Sequence, residues 1–234
     1  MKRCILLTAL LGWLSLTPQT LLAQFECGAP VSYQGYSYST VQIGDQCWFA
    51  ENLRNENYEN GDAIPAGLST SEWDNASSGA SAAYDLEVYG RLYNWYAVDD
   101  GRGLCPSGWH VPSDGEWTVL TDHLGGESVA GGQMKSTYGW GDDGNGTNSS
   151  GFTGLPGGYR GNSFSSAGGW GSWWSSTPTT PDGWLQGSGG WSRNMSNSWD
   201  VVDNQILAGE GQGVASFETA PGSGLSVRCI EDAE

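Results

Sequence analysis

The chain has 234 residues, with 26 Asp and Glu against 9 Lys and Arg, for a formal charge of −17. A balance this acidic repels nucleic acid and anionic lipid, so neither is expected as a partner. Thirty-seven glycines beside thirteen tryptophans exclude a disordered chain, which would be poor in aromatics. They point instead to a domain of many turns held by large buried rings.

Residues 1–23 read as a secretory signal peptide, with Lys2 and Arg3 as its basic start, an apolar core over 5–16 and Ala23 as the small residue before cleavage. Thr17-Pro18-Gln19-Thr20 interrupts the apolar run, which falls short of the roughly 20 residues a membrane span needs. No later segment replaces it, so no membrane insertion is expected after cleavage. Losing Lys2 and Arg3 with the signal leaves 211 residues at a formal charge of −19, a single lysine (Lys135) and four cysteines. An even number of cysteines in an exported chain implies disulfides. Of the three pairings open to them, Cys27–Cys47 as a local clasp and Cys105–Cys229 as a long tie are the expected ones. No two cysteines have the spacing of a zinc knuckle.

Residues 24–35 read as an N-terminal extension. Over 37–43 the pattern alternates, Gly44-Asp45 turns, and 46–49 return, which predicts a hairpin. Residues 68–83 are rich in Ser, Gly, Ala and Asn and read as a surface loop. Leu92, Trp95 and Tyr96 recur at helical spacing, predicting a first helix over 89–98. Pro106-Ser107-Gly108 is turn chemistry, and Trp109 to Val111 then run extended into Pro112. Ser113 with Glu116 forms a capping box that opens a second helix over 113–124, and Gly125-Gly126 closes it. Trp117, Leu120 and Leu124 give that helix one core-facing side. A short helical turn is predicted over 129–136. Beyond Gly139 no helix is signalled: short strands and Gly-, Ser- and Asn-rich loops close on a strand over 225–230. The fold class is α+β.

WFAENLR, NYENGDAI, YGRLYNWYAV, GLCPSGWHVPSDGEWTVL, NSSGFTGLPGGYR, WWSST and LSVRCI follow one another along the chain. In that order the sequence resembles the Fibrobacter succinogenes major paralogous domain family, from about residue 36 to 230. The resemblance implies a domain over residues 36–234 with a C-type-lectin-like fold: two helices, a short-stranded mixed and antiparallel sheet, and long Gly- and Trp-rich loops. It also implies a secreted or cell-surface protein of Bacteroidetes-type bacteria, without a defined activity. HVPSDGEW is similar to the strand-to-helix junction of formylglycine-generating-enzyme-like domains. Their reactive cysteine pair and copper ligands are not carried over, because the cysteines here read as structural.

The Glu-Pro-Asn, Gln-Pro-Asp and Trp-Asn-Asp tripeptides with which C-type lectins hold calcium are absent. Two oxygen-rich stretches nonetheless offer hard-cation ligands: Asp142, Asp143 and Asn145 in one, Asp200 and Asp203 near Asn197-Ser198-Trp199 in the other. Calcium is the candidate ion there; no other cofactor is implied. The alternative is a polar turn between strands, and the first stretch fails as an EF-hand because Asn148 and Gly154 stand where glycine and glutamate belong. Trp170, Trp173, Trp184, Trp191 and Trp199 are the candidate stacking platform for sugar rings, amphipathic aromatics beside Asn, Asp and Ser; Trp174 and His110 are read as structural. No serine-elbow, P-loop, dinucleotide or zincin motif occurs. The expected function is a secreted module binding carbohydrate or another surface polymer. The alternatives are a structural or adhesin subunit that binds protein or its own copies, and a polysaccharide-acting enzyme.

Overall fold

A computed structural model describes residues 26–180, 189–202, 205–208 and 211–233; the signal segment 1–23 lies outside them. In chain order the elements are β1 (Val31–Tyr33), β2 (Tyr36–Tyr38), β3 (Thr40–Ile43), β4 (Gln46–Phe49), α1 (Thr70–Asp74), β5 (Ser81–Ala82), α2 (Leu86–Tyr89), β6 (Leu92–Tyr93), α3 (Trp95–Val98), β7 (Trp109–His110), α4 (Asp114–His123) and α5 (Glu127–Met134). The second half adds β8 (Tyr159–Arg160), β9 (Phe164–Ser165), β10 (Trp170–Pro178), β11 (Gly190–Ser196), β12 (Trp199–Val202), β13 (Gln205–Ala208), β14 (Ala215–Thr219), β15 (Leu225–Ser226) and β16 (Ile230–Glu231). The result is a mixed α+β domain.

A six-stranded sheet runs in the order β14-β11-β10-β15-β6-β5, with β10 and β15 parallel and the other pairs antiparallel. A four-stranded antiparallel sheet, β3-β4-β16-β7, joins the predicted hairpin to the end of the chain. Ile43 pairs with Gln46, so Gly44-Asp45 makes the two-residue turn. The strand expected over 225–230 is divided: β15 serves the large sheet and β16 the small one. Val227, Arg228 and Cys229 between them are buried, and Cys229 is bonded to Cys105. Cys27 is bonded to Cys47, which ties the segment before β1 to the hairpin.

Helix α4 begins as its sequence indicates. The Ser113 hydroxyl accepts from the Glu116 amide, and the Glu116 carboxylate accepts from the Ser113 amide at 2.7 Å. Trp117 and Leu120 are fully buried against Trp48 and Phe152. Two expectations are corrected. Residues 68–83 contain α1 and β5, and α1 carries its own capping box between Ser69 and Glu72. The single helix over 89–98 is instead α2, β6 and α3, because Gly90 ends α2 at φ +74° and the Asn94 side chain caps α3 by accepting from Ala97 N. Leu92 and Tyr93 are both buried as a strand inside the sheet, so their apolar character came from two covered faces.

The strand β10 separates the two main core clusters. Trp174 packs with Trp95, Phe49 and Tyr93 on one side, and Trp173 with Phe152, Trp48 and Trp117 on the other. A strand buried on both faces places consecutive large rings on opposite sides. Trp170 and Trp173, expected in a stacking platform, therefore lie on this central strand.

Candidate functional site

The segment WFAENLR builds a polar hub under the short helix α2. Asn52 Oδ1 accepts from Trp173 Nε1 at 2.8 Å and from Arg228 Nε at 2.7 Å. Its Nδ2 donates to the Tyr89 carbonyl at 2.9 Å and to the Ser226 hydroxyl at 3.3 Å. One side chain thus joins β10, the β15–β16 link and the end of α2. Arg54 Nη2 donates to the Glu87 carbonyl at 3.1 Å. Asn52 and Arg54 therefore satisfy carbonyls that a four-residue helix leaves unpaired.

Arg228 is fully buried. Its guanidinium donates to Asn52 Oδ1 and to the carbonyls of Phe49, Phe152 and Thr153, all neutral acceptors, and lies 4.2 Å from the Phe152 ring centroid. Burial works against its charge and pushes its pKa down, with Glu51 the opposing influence. Burial also pushes the Glu51 carboxyl up, but hydrogen bonds from Tyr36 and Ser39 and the Arg54 charge outweigh it and hold it below its ordinary value. Arg54 stacks over the Tyr36 ring at 4.4 Å, and its guanidinium reaches Glu51 at 3.9 Å and Glu87 at 3.7 Å. Its Nε is buried with no hydrogen-bond partner.

On this base sits a surface of half-exposed rings. Among the described residues seven large apolar side chains are exposed, and four of them, Tyr84, Val88, Tyr138 and Phe164, border the concavities around α2. Tyr84 is 59% exposed and Tyr138 57%. The Tyr84 ring lies 5.8 Å from Phe164 and 6.3 Å from Tyr89. Phe164 is backed by the Arg160 guanidinium, which lies between it and the buried Trp73 at 5.3 and 4.2 Å. Beside Tyr89 a cavity of about 330 Å³ is lined by Glu51, Asn52, Arg54, Tyr138, Leu155 and Arg228. Burial first, then the charges of Asp85 and Tyr84, push the Tyr89 hydroxyl pKa up, so it stays a neutral hydrogen-bonding group. Exposed rings beside fixed polar groups are the chemistry of a small-molecule or glycan surface.

The sequence-based candidates are placed differently. Trp173 is fully buried and offers no face to a ligand, a correction that follows from its place on the two-sided strand β10. Trp170 and Trp191 are partly buried on β10 and β11. Trp184 and Asp203 lie outside the described residues, as do the side chains of Trp199 and Asp200, whose backbone forms β12. Asp142 and Asp143 are exposed at positive φ. Asp142 accepts from Asn197 Nδ2 at 2.9 Å, and Asn145 Oδ1 accepts from the Trp140 amide at 3.0 Å, so both brace the loop. Among the described residues no group of three or more His, Cys, Asp or Glu side chains gathers to hold a metal.

His110 bridges two carboxylates, with Nδ1 2.6 Å from Asp232 and Nε2 2.9 Å from Glu116. It thereby pins the chain end after β16 to the start of α4. Burial pushes the Glu116 carboxyl up, but hydrogen bonds from Ser113 and His110 prevail and hold it below its ordinary value. All four described cysteines are in disulfides, which leaves no thiol among them for redox chemistry. No helix among the described residues is long and apolar enough to cross a membrane.

The family model described as Fibrobacter succinogenes major domain matches residues 41–231. Searches of curated proteins and of solved structures gave no match.

Proposed function

This chain belongs to the Fibrobacter succinogenes major domain family, and from that premise we propose that it is an exported carbohydrate-binding module whose ligand lies on the ring surface around α2. The observation that carries the reading is the Tyr84–Tyr89–Phe164 cluster, with Tyr84 and Phe164 exposed and Tyr89 half-buried beside a cavity whose polar floor is fixed by Asn52 and Arg228. The sequence pointed to tryptophans after Gly139; the burial of Trp173 and the exposure of Tyr84, Tyr138 and Phe164 favour the tyrosine face. Export is supported by the residues of segment 1–23 and by the two disulfides. A C-type-lectin-like reading of the fold is supported by the two longer helices, the mixed sheet and the disulfide-tied closing segment.

The test is a glycan array probed with the oxidised chain, with and without calcium, followed by the double variant Tyr84→Ala/Phe164→Ala. A loss of at least ~10-fold in affinity, about 1.4 kcal/mol, is expected while the unfolding curve stays unchanged. Trp191→Ala, on β11, is the comparison and should lose little. Wild-type affinity in a folded double variant would refute the site. Calcium-dependent polymers in light scattering, without glycan binding, would favour the structural subunit instead, and turnover of a polysaccharide would favour the enzyme.

A further inference from the structure

We infer that the ligand is a neutral linear polysaccharide gripped along several consecutive sugar units, and not a single terminal sugar. The inference rests on the carbohydrate reading above. Three concavities border the stretch from Tyr84 to Gly90. One, of about 430 Å³, is lined by Tyr33, Gln34, Tyr36, Asn57 and Leu86. The second is the 330 Å³ cavity beside Tyr89. The third, of about 220 Å³, lies between Tyr84, Gly157 and Phe164.

These concavities are neighbours. Arg54 lines both the first and the second, and the Tyr84–Tyr89 ring pair, 6.3 Å apart, joins the second to the third. Sites that enclose a whole small ligand typically hold about 300–1,000 Å³ and bury most of its surface. Here the space is divided into three open parts, two in the lower part of that range and one below it, each with its own rings: Tyr33 and Tyr36, then Tyr89 and Tyr138, then Tyr84 and Phe164. A pocket built for one terminal sugar would instead concentrate its rings and donors at one point. A ligand that repeats its chemistry along its length can occupy all three, each contact raising the effective concentration for the next.

Charge selects the class of polymer. Within the second cavity Arg54 is faced by Glu51 and Glu87, and the chain as a whole carries −17. A polyanion would be repelled on approach, and a neutral chain would not.

The experiment begins with affinity electrophoresis of the oxidised chain in xylan, mixed-linkage β-glucan, galactomannan and starch, with polygalacturonate as the charged control. Oligosaccharides of two to eight units, cut from whichever neutral polymer retards it, are then titrated calorimetrically. Affinity is expected to rise by at least ~10-fold from the disaccharide to the hexasaccharide and then level off, and to change little between low and high salt. Tyr36→Ala, at one end of the track, should remove most of the affinity gained between the trisaccharide and the hexasaccharide. Equal affinity from disaccharide to octasaccharide overturns the inference while leaving the carbohydrate reading standing. Preference for polygalacturonate overturns its neutrality. Retardation by none of the polymers overturns the carbohydrate reading, and this inference with it.

Discussion

Replacing Asn52 by alanine tests whether the hub beneath α2 holds both core and site. The substitution leaves two buried donors without acceptors, the Trp173 indole N–H and the Arg228 Nε–H. An unsatisfied buried group costs about 1–3 kcal/mol, with charged groups at the upper end. The Tyr89 carbonyl and Ser226 hydroxyl also lose their donor. A total loss of about 3–5 kcal/mol follows, and for a domain of this size that lowers Tm by roughly 8–15 °C. Differential scanning calorimetry on the oxidised chain measures it, with Asn162→Ala, at an exposed bend, as a control expected within about 0.5 kcal/mol of wild type. Asn52→Asp keeps the acceptor for both donors and supplies Arg228 with an opposite charge, so its loss should be smaller. If Asn52→Ala costs less than about 1 kcal/mol, the hub is not what fixes these elements and the argument for a preorganised site fails.

The remaining predictions concern the ties and turns that surround that hub. In the loop-entropy account, opening the Cys105–Cys229 tie, with 124 residues between its ends, costs about 5 kcal/mol, and opening Cys27–Cys47, with 20, about 3 kcal/mol. Paired serine variants compared by denaturant unfolding should fall in that order, and the reverse order would contradict it. Because the folded Glu116 carboxyl lies below its ordinary value, its contribution is fully present above about pH 4.5 and is lost as pH falls through the folded value. Acid unfolding of Glu116→Gln should therefore begin from a lower stability and show a shallower pH slope; an unchanged slope would exclude the role. Gly90→Ala forces a side chain into φ +74°, with its Cβ 2.9 Å from the Leu53 carbonyl oxygen. It should destabilise by about 1–3 kcal/mol and weaken glycan binding more than any variant far from α2, which titration against the retained polymer would check.

Features that depend on neighbours in sequence were legible. The Gly44-Asp45 hairpin and the Ser113–Glu116 capping box are local grammar, and each forms as written. The two disulfides followed from cysteine number and export. The same grammar stands at Ser69 and Glu72, where the Ser-rich composition of 68–83 obscured it and a helix forms nonetheless. Residues 89–98 misled for a different reason. Leu92, Trp95 and Tyr96 fit a helical period, but a strand covered on both faces also demands apolar residues, and Gly90 and Asn94 punctuate the segment. Trp173, expected in a stacking platform, is buried instead because of its size. The largest rings gain most from burial, so Trp48, Trp73, Trp95, Trp117, Trp173 and Trp174 fill the interior while tyrosines and a phenylalanine remain outside. Tyr84, Tyr89, Tyr138 and Phe164 come from three separate stretches of chain, and no short-range pattern announces their meeting.

The placement of positive charge explains why such a surface suits an uncharged ligand. Arg91, Arg160, Arg193, Arg228 and Lys135 are buried. Each is fixed by internal partners: Arg193 by Asp114 and Glu127, Arg91 by Glu56, and Lys135 by the Ser196 carbonyl at 3.1 Å. Arg102, though exposed, is paired with both Asp62 and Asp100. The cations thus serve as scaffold, and acidic groups dominate what solvent meets. Approaching polyanions are repelled, because among the described residues little exposed positive charge offsets the acidic groups. On the proposed carbohydrate reading, recognition at α2 would come from ring faces and hydrogen bonds, whose strength depends little on salt. A single sugar would give few such contacts, and a longer track would gain affinity by adding more of them.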